Sequence, residues 1–304
     1  MMIDRIYDAH HHLWDLSAVE YPWLNAKGVP RFFGDPTPIQ RDYLVDDFKR
    51  DHGALNIVGS THIQVGAAPG QHFTEAQWVD AQSVEHALPT RQVAFCDLSA
   101  ADAQDQINQL CTLNSMAGIR QIVGRSPEED RVTGTDALIS NSSWWSQVHQ
   151  LHEHNLSFDL QLIPDQMELV AHRLNDDHRT KVVVCHAGSP WYAEGEGFEL
   201  WKRGIRQLST RKNTFIKLSG LVMFNHQWTA ESLSKYIDVL IENFGTERVM
   251  FGSNFPVDGL HTGYEQIVSA YLQSLSACNR TELNKIFHDN AIEFYNVLSD
   301  DNDK

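Results

Sequence analysis

Eight short apolar runs, each followed by a stretch with helical periodicity, leave this chain few folds to choose from. The runs are Ile3–Ala9, Asn56–Val65, Gln92–Leu98, Gly118–Val123, Ser157–Ile163, Lys181–Cys185, Thr214–Leu218 and Arg248–Phe251. The helical stretches are Arg41–Asp51, Thr74–Leu88, Ala101–Leu113, Ser143–His154, Asp165–Leu174, Phe198–Leu208, Ala230–Phe244 and Tyr264–Ser274, with a last one at Thr281–Val297. Alternating strands and helices imply a parallel sheet, because only a crossover helix returns the chain to start a parallel strand. Eight repeats imply an α/β fold closed as a (β/α)8 TIM barrel rather than an open doubly wound sheet. No Gly-x-Gly-x-x-Gly follows the first strand, so a dinucleotide site has no support. No linker, repeat or low-complexity tract interrupts the pattern. One domain over 1–298 is expected, with a polar tail, 299–304, expected to be disordered.

Composition narrows the class. Hydrophobic residues make up 42% and charged residues 21% of 304, ordinary values for a globular protein. No apolar run reaches the eighteen or so residues a membrane span needs, and no signal-peptide pattern opens the chain. Cys96, Cys111, Cys185 and Cys278 are scattered with no Cys-x-x-Cys pair, so a reducing, cytoplasmic setting is expected. A formal charge of −16 argues against a general nucleic-acid or membrane-surface binder. The expected partner is a small molecule, with a homo-oligomer left open.

Reacting groups in such barrels sit at the C-terminal ends of strands. The first run delivers His10 and His12, two positions apart and so on one face, while His11 points away. Two imidazoles on one face share a cation, clamp a substrate oxygen, or merely hydrogen-bond within a loop. Later strand ends supply His62, Gln64, Arg120 with Arg125 beyond it, Asp159, Gln161, His186, Lys217 and Asn254, with Asp258 following. His186 closes the apolar run Val182–Cys185, where only a site or a satisfied core histidine explains a polar side chain. Arg120 must meet an anion or sit in an internal ion pair with Asp97 or Asp159, because an unpaired buried charge is costly. Lys217 and Asp159 read as structural or helix-facing. The aromatic loop from Leu13 to Thr37 is too long for a connector and is expected to cover a site.

Several motifs together resemble the amidohydrolase superfamily. They are Asp8-Ala9-His10-His11-His12-Leu13-Trp14, Tyr21-Pro22-Trp23-Leu24, Gly118-Ile119-Arg120, Phe158-Asp159-Leu160-Gln161, Cys185-His186-Ala187-Gly188, Lys217-Leu218-Ser219-Gly220-Leu221, Met250 to Pro256 and Asn290-Ala291. The resemblance covers nearly the whole chain and points to the amidohydrolase-2 group, which contains L-fuconolactonase and 2-pyrone-4,6-dicarboxylate lactonase. It implies that His10, His12 and His186 line the reaction centre, with Arg120 and Arg125 gripping a substrate carboxylate or hydroxyl. It also implies one divalent metal, zinc first, on those three histidines, or a metal-free site where they act directly. One position departs from the pattern. The family usually ends strand eight in an aspartate that takes a proton from water, and this chain has Asn254. A neutral amide is neither that base nor a good metal ligand.

The expected reaction is opening of a sugar-derived or dicarboxylate lactone by activated water. His10 and His12 would polarise the carbonyl and His186 would take the proton. Asn254 completes the catalytic set, while Trp14, Gln64, Arg120, Arg125, Gln161 and Asp258 form the expected substrate-binding set. Trp14, Trp23 and Trp191 either stack on a sugar ring or only pack. Asp258 either replaces the missing carboxylate or is a surface turn residue. Two rivals stay open: a metal-dependent decarboxylase or amide hydrolase of the same fold, and a non-catalytic ligand binder.

Overall fold

The computed structural model describes residues 3–128 and 136–297, so the tail 299–304 lies outside the described residues. Eight strands form one sheet in chain order: β1 Ile6–His11, β2 Ile57–Ile63, β3 Arg91–Ala94, β4 Met116–Ile119, β5 Ser157–Leu160, β6 Val182–Val184, β7 Thr214–Leu218 and β8 Val249–Phe251. Every neighbouring pair is parallel. The ring is drawn shut where β8 meets β1. Asn254 N–H donates to His10 O at 2.7 Å and His12 N–H to Phe255 O at 2.8 Å. The buried Asp8 carboxylate adds a side-chain clasp, accepting from Ser253 N–H at 2.9 Å and the Tyr264 hydroxyl at 2.7 Å. This is the (β/α)8 barrel expected from the alternation.

Two apolar layers result. Tyr7, Ala9, Ile63, Val93, Val183 and Met250 fill the barrel interior, and Phe294 and Tyr295 of the closing helical segment pack against them. A larger layer between sheet and helices is built from the outward faces. The helices Ala230–Phe244 and Tyr264–Ser274 keep their expected bounds. Strand ends differ more. The sheet releases β3 at Ala94, so Cys96 and Leu98 are buried beside a loop rather than in a strand. The last segment is not one α-helix: Arg280–Asn284 and Asn290–Phe294 flank a π turn, Lys285–Asp289. No helix of the described residues is long and apolar enough to cross a membrane.

One irregularity matters for the site. Along β1, Asp8 pairs with Ser60 but His11 pairs with His62, so three residues on β1 span the space of two on β2. A bulge of this kind shifts strand alternation by one residue. Tyr7 and Ala9 face the interior before it, and His10 and His12 face inward after it. His11 turns outward and stacks on Phe48, ring centroids 4.2 Å apart.

Candidate active site

A cavity of about 270 Å³ opens at the C-terminal ends of the strands. That is small against the roughly 300–1,000 Å³ of drug-sized pockets and suits a compact substrate. Its floor carries His12, His186 and Asn254. Gln64, Arg120, Arg125 and Gln161 form one side. Trp14, Trp23, Phe32 and Phe33 form an apolar wall, and Arg31 stands at its edge. None of the described lining side chains is acidic.

The long loop after β1 makes that wall because it is tied down. Trp14 pairs with Tyr43 in a β-bridge, and its indole donates to Arg41 O at 2.6 Å. The Trp23 indole donates to Val65 O at 2.8 Å, and the His261 ring meets Phe33 O at 2.6 Å. Trp191 packs instead on Phe32 and Phe224, with ring centroids 5.0 and 5.2 Å away.

His186 reaches the floor through an unusual backbone. His186, Ala187, Gly188 and Ser189 have φ of +52°, +53°, +70° and +52°, a full left-handed turn. Such φ costs a non-glycine residue roughly 1–2 kcal/mol, and strain of this kind gathers at functional sites. The ring is braced by Ser219 Oγ, 3.2 Å from its Nδ1. Gly220 lies so close that any Cβ there would stand 2.5 Å from the same nitrogen.

His12 is oriented by its backbone neighbour on β2. Its Nδ1 lies 2.7 Å from Ile63 O, and the Asn254 amide hydrogen-bonds the ring as well. Burial, joined by the Arg120 charge, pushes its pKa down to about 3. Burial and Arg120 also hold His186 well below the usual histidine range, and burial and Lys217 do the same to His10. All three are neutral imidazoles near pH 7.

Arg120 makes no ion pair among the described residues. Its guanidinium donates to Gln161 Oε1 and to Gln64 O, the latter at 3.3 Å, both neutral acceptors. Asp97 is engaged by Ser99 and Gln121, and Asp159 by Lys217 and Tyr295. The internal ion pair expected as one alternative for Arg120 is therefore not formed. The buried Nε of Arg120 and that of Arg31 each lack a protein partner among the described residues. Buried donors left unmatched invite an acceptor from a ligand.

Two expected site residues lie behind the pocket. Asp258 is fully buried rather than on a surface turn, and Asn254 Nδ2 donates to its Oδ1 at 2.6 Å. Burial raises its carboxyl well above the normal range. His10 is equally buried, with ring centroids 4.4 Å from His186 and 5.2 Å from His12. Beneath it lies Lys217, which faces the interior and not the helices. Phe215 on the same strand packs against Phe294 at the barrel base, so alternation along β7 already aims Lys217 inward. Arg31, Phe32, Phe33 and Met223 join the lining without any sequence signal beyond their loops.

A resident divalent ion does not fit these side chains. No group of three His, Cys, Asp or Glu among the described residues is disposed to hold one. His10 Nδ1 faces an ammonium, Arg120 adds a second cation to the cluster, and Asn254 stands where a carboxylate would ligate. The zinc on His10, His12 and His186 implied by the resemblance is thus not supported by the geometry.

Comparison with known proteins agrees with the fold. The protein y4mH of Sinorhizobium fredii is 34% identical over 294 residues, covering 96% of this chain and 98% of that one. The L-fucono-1,5-lactonase of Burkholderia multivorans is 27% identical over 292 residues, 91% of this chain and 92% of its own. A crystal structure of an amidohydrolase from Burkholderia multivorans with bound zinc superposes with a TM-score of 0.80. It is 21% identical, over 96% of this chain and 99% of that one. The Amidohydrolase family profile matches residues 7–297, and the chain belongs to that family.

Proposed function

We propose that this protein is a hydrolase that opens a small lactone carrying a carboxylate or several hydroxyls, of the sugar-derived or dicarboxylate kind. The observation that carries the reading is the polarity of the pocket. Arg120 and Arg31, whose buried Nε donors have no protein partner among the described residues, line a cavity with no acidic side chain among its described lining, floored by neutral histidines. A lactone offers that site an acceptor-rich ring, and its apolar face suits the Trp14–Trp23 wall. The L-fucono-1,5-lactonase named above supports the same substrate class.

In this reading Arg120, steadied by Gln161 and Gln64, holds the substrate oxygens. Neutral His12 and His186 flank the carbonyl and the attacking water, and His186 accepts the water proton. Asn254 hydrogen-bonds His12 and orients it without taking the proton. The oxyanion that forms then meets guanidinium and imidazole donors already in place; its collapse breaks the ring C–O bond, and the proton held by His186 passes to the departing alkoxide oxygen.

The test is a pH-indicator screen of aldono- and dicarboxylate lactones with wild type, His186→Ala and Arg120→Met, with and without chelator. Turnover lost in His186→Ala, with the circular dichroism unchanged, supports the scheme. Full activity in that variant removes His186 from it, and no turnover of any lactone by wild type removes the reading.

A further inference from the structure

Below the pocket floor runs a buried polar string that the scheme above does not use. Lys217 Nζ, fully enclosed, stands 2.5 Å from Asp159 Oδ2 and 3.4 Å from His10 Nδ1. The Tyr295 hydroxyl donates to the same Asp159 oxygen at 2.9 Å, and its ring lies 5.4 Å from the ammonium. Four groups from β1, β5, β7 and the closing segment thus meet inside the barrel.

The chemistry of the pair decides where the His10 proton sits. An ammonium has three N–H groups and no lone pair, so a nitrogen facing it must accept. His10 Nδ1 is therefore bare and its proton is on Nε2. The other tautomer would set an N–H against an ammonium with no acceptor between them. His10 Nε2 has no partner among the described residues, and its ring touches both pocket histidines. His12 is the converse case. A carbonyl only accepts, so the 2.7 Å contact with Ile63 O puts the proton on Nδ1 and leaves Nε2 bare.

We propose that Lys217 is a positioning residue that locks His10 in the Nε2–H tautomer, so that the His-x-His pair presents one donor and one acceptor instead of two metal-ligating lone pairs. His10 then turns a donor, not a lone pair, toward the cluster from behind the pocket floor, beside the rings of His12 and His186. The tautomer assignment stands without the lactonase reading; only its bearing on the reacting histidines rests on it.

The experiment is a long-range 1H–15N correlation spectrum of 15N-histidine protein at pH 7, with His10 and His12 assigned from His10→Gln and His12→Gln. The expected result is His10 with Nε2 protonated and Nδ1 bare, and His12 the reverse. A proton on His10 Nδ1, or an imidazolium there, would overturn the proposal. The double variant Lys217→Met/Asp159→Asn removes the ion pair without leaving a lone charge. His10 in that variant is expected to lose its single tautomer and show both. An unchanged His10 spectrum would overturn the role of Lys217. If the double variant does not fold, the wild-type spectrum alone still decides the tautomer that the proposal requires. Absence of lactone turnover would sink the proposed function and leave this assignment standing, so the two fail separately.

Discussion

Replacing Gly220 with alanine tests how closely His186 is held. The glycine has φ +66° and ψ +11°, and a Cβ at that position would stand 2.5 Å from His186 Nδ1 and 2.7 Å from Met223 Cε. Left-handed backbone costs an alanine roughly 1–2 kcal/mol, and overpacking a buried site adds about 1–3 kcal/mol. The sum, about 2–5 kcal/mol, is a large share of a marginal stability of roughly 5–15 kcal/mol. At about 2 °C per kcal/mol for a chain of this size, the Tm should fall by about 4–10 °C. The ring must also retreat by about 1 Å to restore van der Waals distance, losing the 3.2 Å contact with Ser219. A displacement of that size lowers kcat/KM by roughly a hundredfold if His186 takes the water proton. Gly28→Ala is the control, since Gly28 has φ +70° and a methyl group there would meet nothing within 4 Å. It should show the backbone cost alone and full activity. Calorimetric Tm and lactone hydrolysis measured on both variants check the argument. Gly220→Ala behaving like Gly28→Ala in both would refute it.

Three other outcomes follow from buried polar groups. Burial raises the Glu75 carboxyl from 4.5 to about 7, so the folded state binds its proton more tightly than the unfolded chain does. That stabilisation is complete below pH 4.5 and lost as pH rises through about 7; Glu75→Gln should therefore flatten the decline, with a gain of up to about 3 kcal/mol at pH 8 in denaturant titrations. Asn254→Asp sets a second carboxyl against Asp258, now 2.6 Å from the Asn254 amide. The pair must share a proton, so its Tm relative to wild type should drop from pH 5 to pH 8, and a constant difference would count against the contact. Arg120→Met should raise KM for a carboxylate-bearing lactone by between about 10- and 100-fold while leaving Tm unchanged or higher, because the guanidinium has no ion-pair partner to abandon among the described residues.

The barrel is legible because each strand and helix carries its own period, and Ala230–Phe244 and Tyr264–Ser274 match residue for residue. Much of the polar lining is legible from strand ends, where His12, His186, Asn254, Arg120 and Gln161 interrupt apolar runs. What escapes depends on through-space pairing. The bulge between Asp8 and His11 is a property of two strands, so spacing alone places His10 and His12 on one face without showing how that face comes to be the inner one. Lys217 reads as structural or helix-facing in the sequence; it is inward, as Phe215 two residues earlier on the same side shows, and sits in a buried ion pair with Asp159. Asp258 follows a turn-like Phe-Pro-Val, and only the fold of that turn buries it against Asn254. Arg31, Phe32 and Phe33 reach the pocket from a loop whose path is set by distant partners such as His261.

The clasp at Asp8 bears on when the site comes into being. Its acceptor oxygens bond Ser253 and Tyr264, groups 245 and 256 residues further along the chain. His10 and Asn254 are joined across the same seam by a backbone bond of 2.7 Å. During synthesis the histidine pair leaves the ribosome some 240 residues before its floor partner Asn254. Until the last strand is made, the pocket lacks the Asn254 part of its floor, and a ligand seated on His12 and Asn254 bridges the seam between first strand and last, tightening the ring there.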